Sequence, residues 1–154
     1  ICPSQEHFVS NLIRHRIIAE TELLTLSDRN DRLFVLFLPY EEIHELGLLY
    51  TNYILRFRGY RTLYLGQSVP TDDLQQVSVM FDGPITFVGF STSFPAADKM
   101  QGFLNTLRDL VPDARHQFWL SGSQVNRSQG VVEPTGFRLF PHINELLGAL
   151  GSPA

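Results

Sequence analysis

Two apolar runs, Leu33 to Leu38 and Thr62 to Leu65, constrain this chain more than any other feature. The first, LFVLFL, contains no polar residue. A strand with one solvated face alternates apolar and polar side chains, so a run without alternation predicts a strand covered on both faces. The run ends at Pro39, and a helical pattern from Leu48 to Phe57, stopped by Gly59, separates it from the second run. Strand, helix and strand in such close succession form the unit of a parallel sheet clad in helices.

The alternation continues along the chain. A helix is predicted to open at Pro70, with Thr71, Asp72 and Asp73 suiting its first turn. Residues 85–90 read as a third strand ending in Ser91-Thr92-Ser93, and 96–111 as a helix stopped by Pro112. A fourth strand at 117–120 runs into Ser121-Gly122-Ser123, and a weaker fifth at 137–140 precedes a last helix at 143–150. This pattern predicts an α/β, flavodoxin-like (Rossmann-like) fold: five parallel strands in the order 2-1-3-4-5, joined by right-handed crossovers. Residues 32–151 are assigned to that unit and residues 1–27 to a preceding helix. From Gln5 to about Leu26, Phe8, Val9, Leu12, Ile13, Ile17 and Ile18 recur at helical intervals behind a Ser4 N-cap. Their stripe is broader than one packing face, and ~33 Å of helix is long for so small a domain. The helix is therefore expected to bury two sides, as the last member of a helical bundle completed by other segments or by a second copy. Ser27 to Asp31 forms a polar linker.

Composition narrows the function. A net charge of -4, with Lys99 as sole lysine, leaves no basic stripe for nucleic acid. Arg56, Arg58 and Arg61 complement a helix end. No apolar run approaches the ~20 residues of a membrane span, so no membrane partner is expected. The single cysteine, Cys2, excludes an internal disulfide and fits a cytoplasmic setting. Sheets of this kind receive ligands at the carboxyl ends of their strands. In the expected order those ends gather His44 with Gly47, Ser91 with Ser93, and Ser121 with Gly122. Apart from the imidazole these residues are small, so they suit a slot for a flat, bulky group. Imidazole ligates metals of borderline softness, and Glu42 is placed to hold its other nitrogen. The same residues also suit ordinary βα turns with a surface histidine. A phosphoacceptor receiver needs acidic residues after the first strand and a lysine after the fifth, whereas Lys99 follows the third. A zinc protease needs a second histidine where Leu48 stands, and no Gly-x-Gly-x-x-Gly follows the first strand.

Glu42-x-His44-x-x-Gly47, Ser91-x-Ser93 and Ser121-Gly122 together resemble the Asp-x-His-x-x-Gly, Ser-x-Leu and Gly-Gly signature of cobalamin-binding domains. Glu6 to Arg14, His44 to Leu48 and Tyr64 to Pro70 further resemble the C-terminal half of MerR-type transcriptional regulators, which include light-responsive repressors using adenosylcobalamin. The resemblance covers nearly the whole chain. It implies a cobalamin (adenosylcobalamin or another form) whose cobalt takes His44 as lower axial ligand. The displaced nucleotide tail would enter a slot beside Ser91, Ser93, Ser121 and Gly122, and Glu6 and His7 would meet the upper face. It implies a sensor and not an enzyme: the cofactor controls homo-oligomerisation through the bundle helices, and DNA is bound through a domain absent from this chain. A cofactor-free dimerisation module, or an accessory cobalamin domain of a mutase or methyltransferase, is the alternative. The chain departs from the signature at Glu42, which replaces Asp, and at Ser93-Phe94, where no leucine completes the pattern. Ser121 stands for the first glycine, and its Cβ is expected to narrow the tail slot. The family's upper-face tryptophan would fall before Ile1; Trp119, in the fourth strand, does not take that role.

Overall fold

The computed structural model describes residues 2–150; Ile1 and Gly151, the outermost positions of the two expected units, lie outside them. Five parallel strands form one sheet: β1 (Leu33–Pro39), β2 (Arg61–Val69), β3 (Ile85–Phe90), β4 (Gln117–Ser121) and β5 (Phe137–Phe140). Their order is β2-β1-β3-β4-β5, the flavodoxin-like order that the alternation predicts. Every residue of β1 and β3 is buried, because these inner strands carry helices on both faces. On one face Val35, Phe37, Phe87 and Phe118 join Leu74 of α3 (Thr71–Ser78) and Leu104 of α4 (Met100–Leu110). On the other, Leu36, Leu38, Phe90 and Phe140 join Leu48 of α2 (Leu46–Phe57) and Leu146 of α6 (Ile143–Ala149).

Local chemistry sets the element ends. The buried positions of α2, Leu48, Leu49, Thr51, Asn52 and Leu55, fall on one side of the helix. Gly59, at φ +76°, then lets the Tyr60 N–H reach the Leu55 carbonyl at 3.0 Å and close the helix. A short helix, α5 (Ser123–Arg127), follows β4 where a loop was expected. β2 runs on through Gly66 to Val69, also expected as loop, with register breaks opposite Phe37 and Pro39. There Ser68 (φ +48°) and Glu41 (φ +70°) fasten two strand ends together. The Ser68 N–H donates to the Glu42 carbonyl at 3.0 Å, and the Ser68 hydroxyl accepts the Glu41 N–H at 3.0 Å. Left-handed backbone at two non-glycine residues persists only where neighbouring structure enforces it, and here it fixes the turn leaving β1.

The first helix, α1 (Pro3–Glu22), starts with Pro3 in its first turn and not behind a Ser4 cap. It packs against α2. The apolar side chains of Phe8, Val9, Leu12 and Ile13 are exposed, and Thr21 is its buried residue. Within one chain, therefore, only the side toward α2 is covered.

Candidate functional site

The site begins with a carboxylate. Glu42 follows the β1 turn, and its side chain is fully buried. Oε2 accepts the main-chain N–H groups of Thr92, Ser93 and Phe94 at 2.9, 2.6 and 2.9 Å, from the loop after β3. Oε1 accepts those of Ile43 and His44 at 2.9 and 3.0 Å and meets His44 Nδ1 at 2.7 Å. Burial alone pushes such a group's pKa up. The N–H groups of Phe94, Ser93 and His44, with the His44 ring, outweigh that effect and bring it down to about 2. An ionised carboxylate accepts hydrogen bonds and donates none, so the proton of a neutral His44 ring sits on Nδ1. The lone pair is then on Nε2, which has no partner among the described residues. The ring is 54% exposed.

His44 borders a cavity of about 570 Å³ between the carboxyl edge of the sheet and α1. Gly47, Gln67 and Thr92 line it on the sheet side; Glu6, His7, Ser10, Asn11 and Arg14 line it on α1. That volume lies within the ~300–1,000 Å³ of small-molecule sites. Among the described residues no group of three or more His, Cys, Asp or Glu side chains could hold a bare metal ion. One oriented imidazole instead suits a metal whose other positions are already filled, as in a macrocycle.

The structure thus brings Glu42, His44, Gly47, Glu6 and His7 to one place, whereas Ser91, Ser121 and Gly122 do not line the cavity. The Ser91 hydroxyl donates to the Pro95 carbonyl at 2.9 Å, and Ser93 joins the site through its main-chain N–H. Ser121 is buried and its hydroxyl has no partner among the described residues. Gly122 is explained by backbone alone: at φ +117°, a Cβ there would stand 2.4 Å from the Ser91 carbonyl oxygen. A Cβ on Gly47 would meet the Phe90 ring at 3.2 Å. The space beside Gly47 is therefore filled by Phe90, while Phe94 is an exposed residue bordering a different cavity.

Sequence reasoning missed a second cluster. Glu45, the residue after His44, is buried, forms an ion pair with Arg14 of α1 and accepts the Tyr64 hydroxyl at 3.1 Å. Burial, reinforced by the Glu45 carboxylate, pushes the Tyr64 pKa up. Arg14 and Glu45 border both the His44 cavity and a second one of about 330 Å³ behind it, so the pair forms the wall between them. The signal was faint, because Arg14, Glu45 and Tyr64 lie in three separate stretches, Glu6 to Arg14, His44 to Leu48 and Tyr64 to Pro70, whose sequence gives no sign that they meet.

No model of a known protein family matches the chain. It is 33% identical over 138 residues to the HTH-type transcriptional repressor CarH of Myxococcus xanthus, a match covering 89% of this chain and 44% of the repressor. The chain thus spans less than half the length of that relative. In fold it is similar to the monomethylamine corrinoid protein of Methanosarcina barkeri, with a TM-score of 0.67 and 14% identity over 92% of this chain and 65% of that one. It is also similar to a cobalamin-binding protein from Desulfitobacterium hafniense DCB-2, with a TM-score of 0.55 and 14% identity over 96% of this chain and 71% of that one.

Proposed function

We propose that this chain is the cobalamin-binding, effector-sensing part of a MerR-type transcriptional regulator, with His44 as the residue that would hold the cofactor's cobalt. The observation that carries the reading is the Glu42–His44 pair at the end of β1, which leaves one imidazole nitrogen free at the border of a cavity. The similarity to a transcriptional repressor and the fold shared with corrinoid proteins support it. Bound cobalamin would supply a metal centre with one lower coordination position open to a nitrogen donor. The chain's residues do the rest. Glu42 sets the tautomer and aims the ring, Gly47 keeps the start of α2 narrow, and Glu6 and His7 face the ligand from α1.

The role proposed is sensing, with no reaction on a substrate. The site has two separately mounted halves, the sheet edge and α1, so a ligand that fills it favours one position of α1. The exposed Phe8, Val9, Leu12 and Ile13 then face a second copy accordingly, and DNA is bound through a part of the regulator outside this chain. Among the described residues, no helix is long and apolar enough to cross a membrane.

The test is spectroscopic. Nitrogen-15-labelled protein is mixed with adenosylcobalamin, desalted and photolysed without oxygen to the cobalt(II) state. The nitrogen splitting in its electron paramagnetic resonance spectrum is then recorded. Ligation by His44 predicts that the triplet of an unlabelled nitrogen becomes a doublet, and that His44→Ala abolishes the doublet. A fraction left colourless by both adenosylcobalamin and its arm-free counterpart adenosylcobinamide, or a triplet that persists in labelled protein, rejects the reading.

A further inference from the structure

The closed space behind His44 bears on which corrinoids this site accepts. A corrinoid's nucleotide arm hangs from the lower face of the macrocycle, the face that His44 would approach. When an imidazole takes the lower position, the arm is displaced and must enter the protein near that histidine or stay in solvent. In this structure the protein side is packed. Phe90, the last residue of β3, is 6% exposed, and its ring lies against Gly47 in the first turn of α2. Phe90 is paired in register with Ser121, which is paired in turn with Phe140, so the three stand side by side on the sheet face that α2 and α6 cover. Ser121 is fully buried and its hydroxyl has no hydrogen-bond partner among the described residues. A polar atom of this kind is destabilising until something meets it. The wall behind Phe90 is therefore already equipped for a polar guest, while the ring itself bars entry.

We propose that Phe90 is the specificity-determining residue of the His44 site: its ring fills the space a lower nucleotide arm would enter, so the site discriminates against corrinoids that carry the arm. The inference rests on the reading of this cavity as a corrinoid site. Arm-free corrinoids bind with the Phe90–Gly47 contact intact, whereas cobalamin binds only by displacing the ring or by leaving its arm in solvent. Shortening residue 90 opens the space and places the arm beside the Ser121 hydroxyl.

The experiment measures the dissociation constants of adenosylcobalamin and adenosylcobinamide, its arm-free counterpart, by visible titration against wild type, Phe90→Leu and Phe90→Ala. Detaching the arm's own base from cobalt weakens cobalamin binding equally in all three proteins, so that effect cancels in the comparison. The expected result is a gain of about tenfold or more for adenosylcobalamin in Phe90→Ala, smaller in Phe90→Leu, with adenosylcobinamide unchanged within about twofold. Retained cobinamide binding shows that a variant is folded; should the alanine variant fail to fold, the leucine variant decides. Equal changes for both ligands, or none for cobalamin, overturn the role of Phe90 and leave the corrinoid reading intact. Failure of wild type to bind either ligand overturns both.

Discussion

Replacing Glu42 by Gln tests whether one buried charge holds the site together. In the folded chain its pKa is about 2 against an ordinary 4.5, which corresponds to about 3 kcal/mol of stability at neutral pH. A group whose folded pKa is lowered contributes fully above its unfolded value and loses the contribution as pH falls through the folded one. The window for Glu42 therefore opens below pH 4.5; about 2 kcal/mol is gone by pH 3, and most of the rest goes as pH falls from 3 to 2. Glutamine removes the charge and turns an amide NH2 toward N–H donors at one end or the other. If it faces the loop after β3, Thr92, Ser93 and Phe94 lose their acceptor. If it faces His44, the Nδ1 proton loses its own. Each buried group left unpaired costs about 1–3 kcal/mol, so the variant should be about 3–4 kcal/mol less stable at pH 7. Urea unfolding at pH 7, 5, 4 and 3 should show the two proteins converging by about 2 kcal/mol at the acid end. A wild type and variant that differ equally at pH 7 and pH 3 would refute the assignment.

Three further predictions follow from the same geometry. Arg14→Ala leaves the buried Glu45 carboxylate with only the Tyr64 hydroxyl; because Arg14 is 43% exposed, the loss should be about 1–2 kcal/mol and not the ~3–5 of a fully buried pair. Urea midpoints measure it, and the penalty should shrink when Glu45→Gln is added; an unchanged midpoint would contradict the pairing. His116, buried beneath the sheet, accepts the Ile85 N–H on Nδ1 at 3.1 Å, and burial, opposed by Asp113, pushes its pKa down. Its contribution is complete above the ordinary 6.5 and lost as pH falls below it, so stability should decline between pH 7 and 5 in wild type and not in His116→Gln, as followed by thermal unfolding. Gly122→Ala drives a Cβ to 2.4 Å from the Ser91 carbonyl at a left-handed φ and should cost about 3 kcal/mol or more; a loss below about 1 kcal/mol would mean that the β3 and β4 ends separate easily.

The sheet was legible because its inner strands advertise themselves. Leu33–Leu38 and Ile85–Phe90 hold too few polar residues for any half-solvated strand, and that property alone implies helices on both faces. Gly66 to Val69 was not legible as strand, since pairing there rests on main-chain contacts with the β1 turn that no side-chain pattern encodes. At the site, the local part could be read: Glu42 and His44 are two residues apart and meet directly. The long-range part could not. That Glu42 gathers the N–H groups of residues 92–94, and that Glu45 finds Arg14, depends on how loops from different strands fold over one another. The small residues at the strand ends have packing reasons of their own. Gly122 is small because two backbones approach there, and Gly47 because an aromatic ring needs the room.

The two halves of the cavity are held with unequal strength, and that inequality decides which half can report on a ligand. The His44 half is anchored by a buried carboxylate worth about 3 kcal/mol and by a turn locked through Ser68 and Glu41. The α1 half hangs on the Arg14–Glu45 pair, on Arg56 reaching Glu22 and the Leu24 carbonyl, and on the Ser27 hydroxyl donating to the Gly59 carbonyl. The Arg14–Glu45 pair is worth about 1–2 kcal/mol and the more exposed contacts about 0–1 kcal/mol each. A hundredfold population shift needs about 2.7 kcal/mol of differential binding, within the reach of a ligand touching both halves. Fully burying a side chain such as Phe8 or Leu12 against a second copy is worth about 1.5–3 kcal/mol, the same scale again. Ligand binding, α1 position and association are thus commensurate energies on one helix. A ligand that moved His44 would have to overcome the stronger anchor, so under the proposed reading α1 is the element that a ligand would displace.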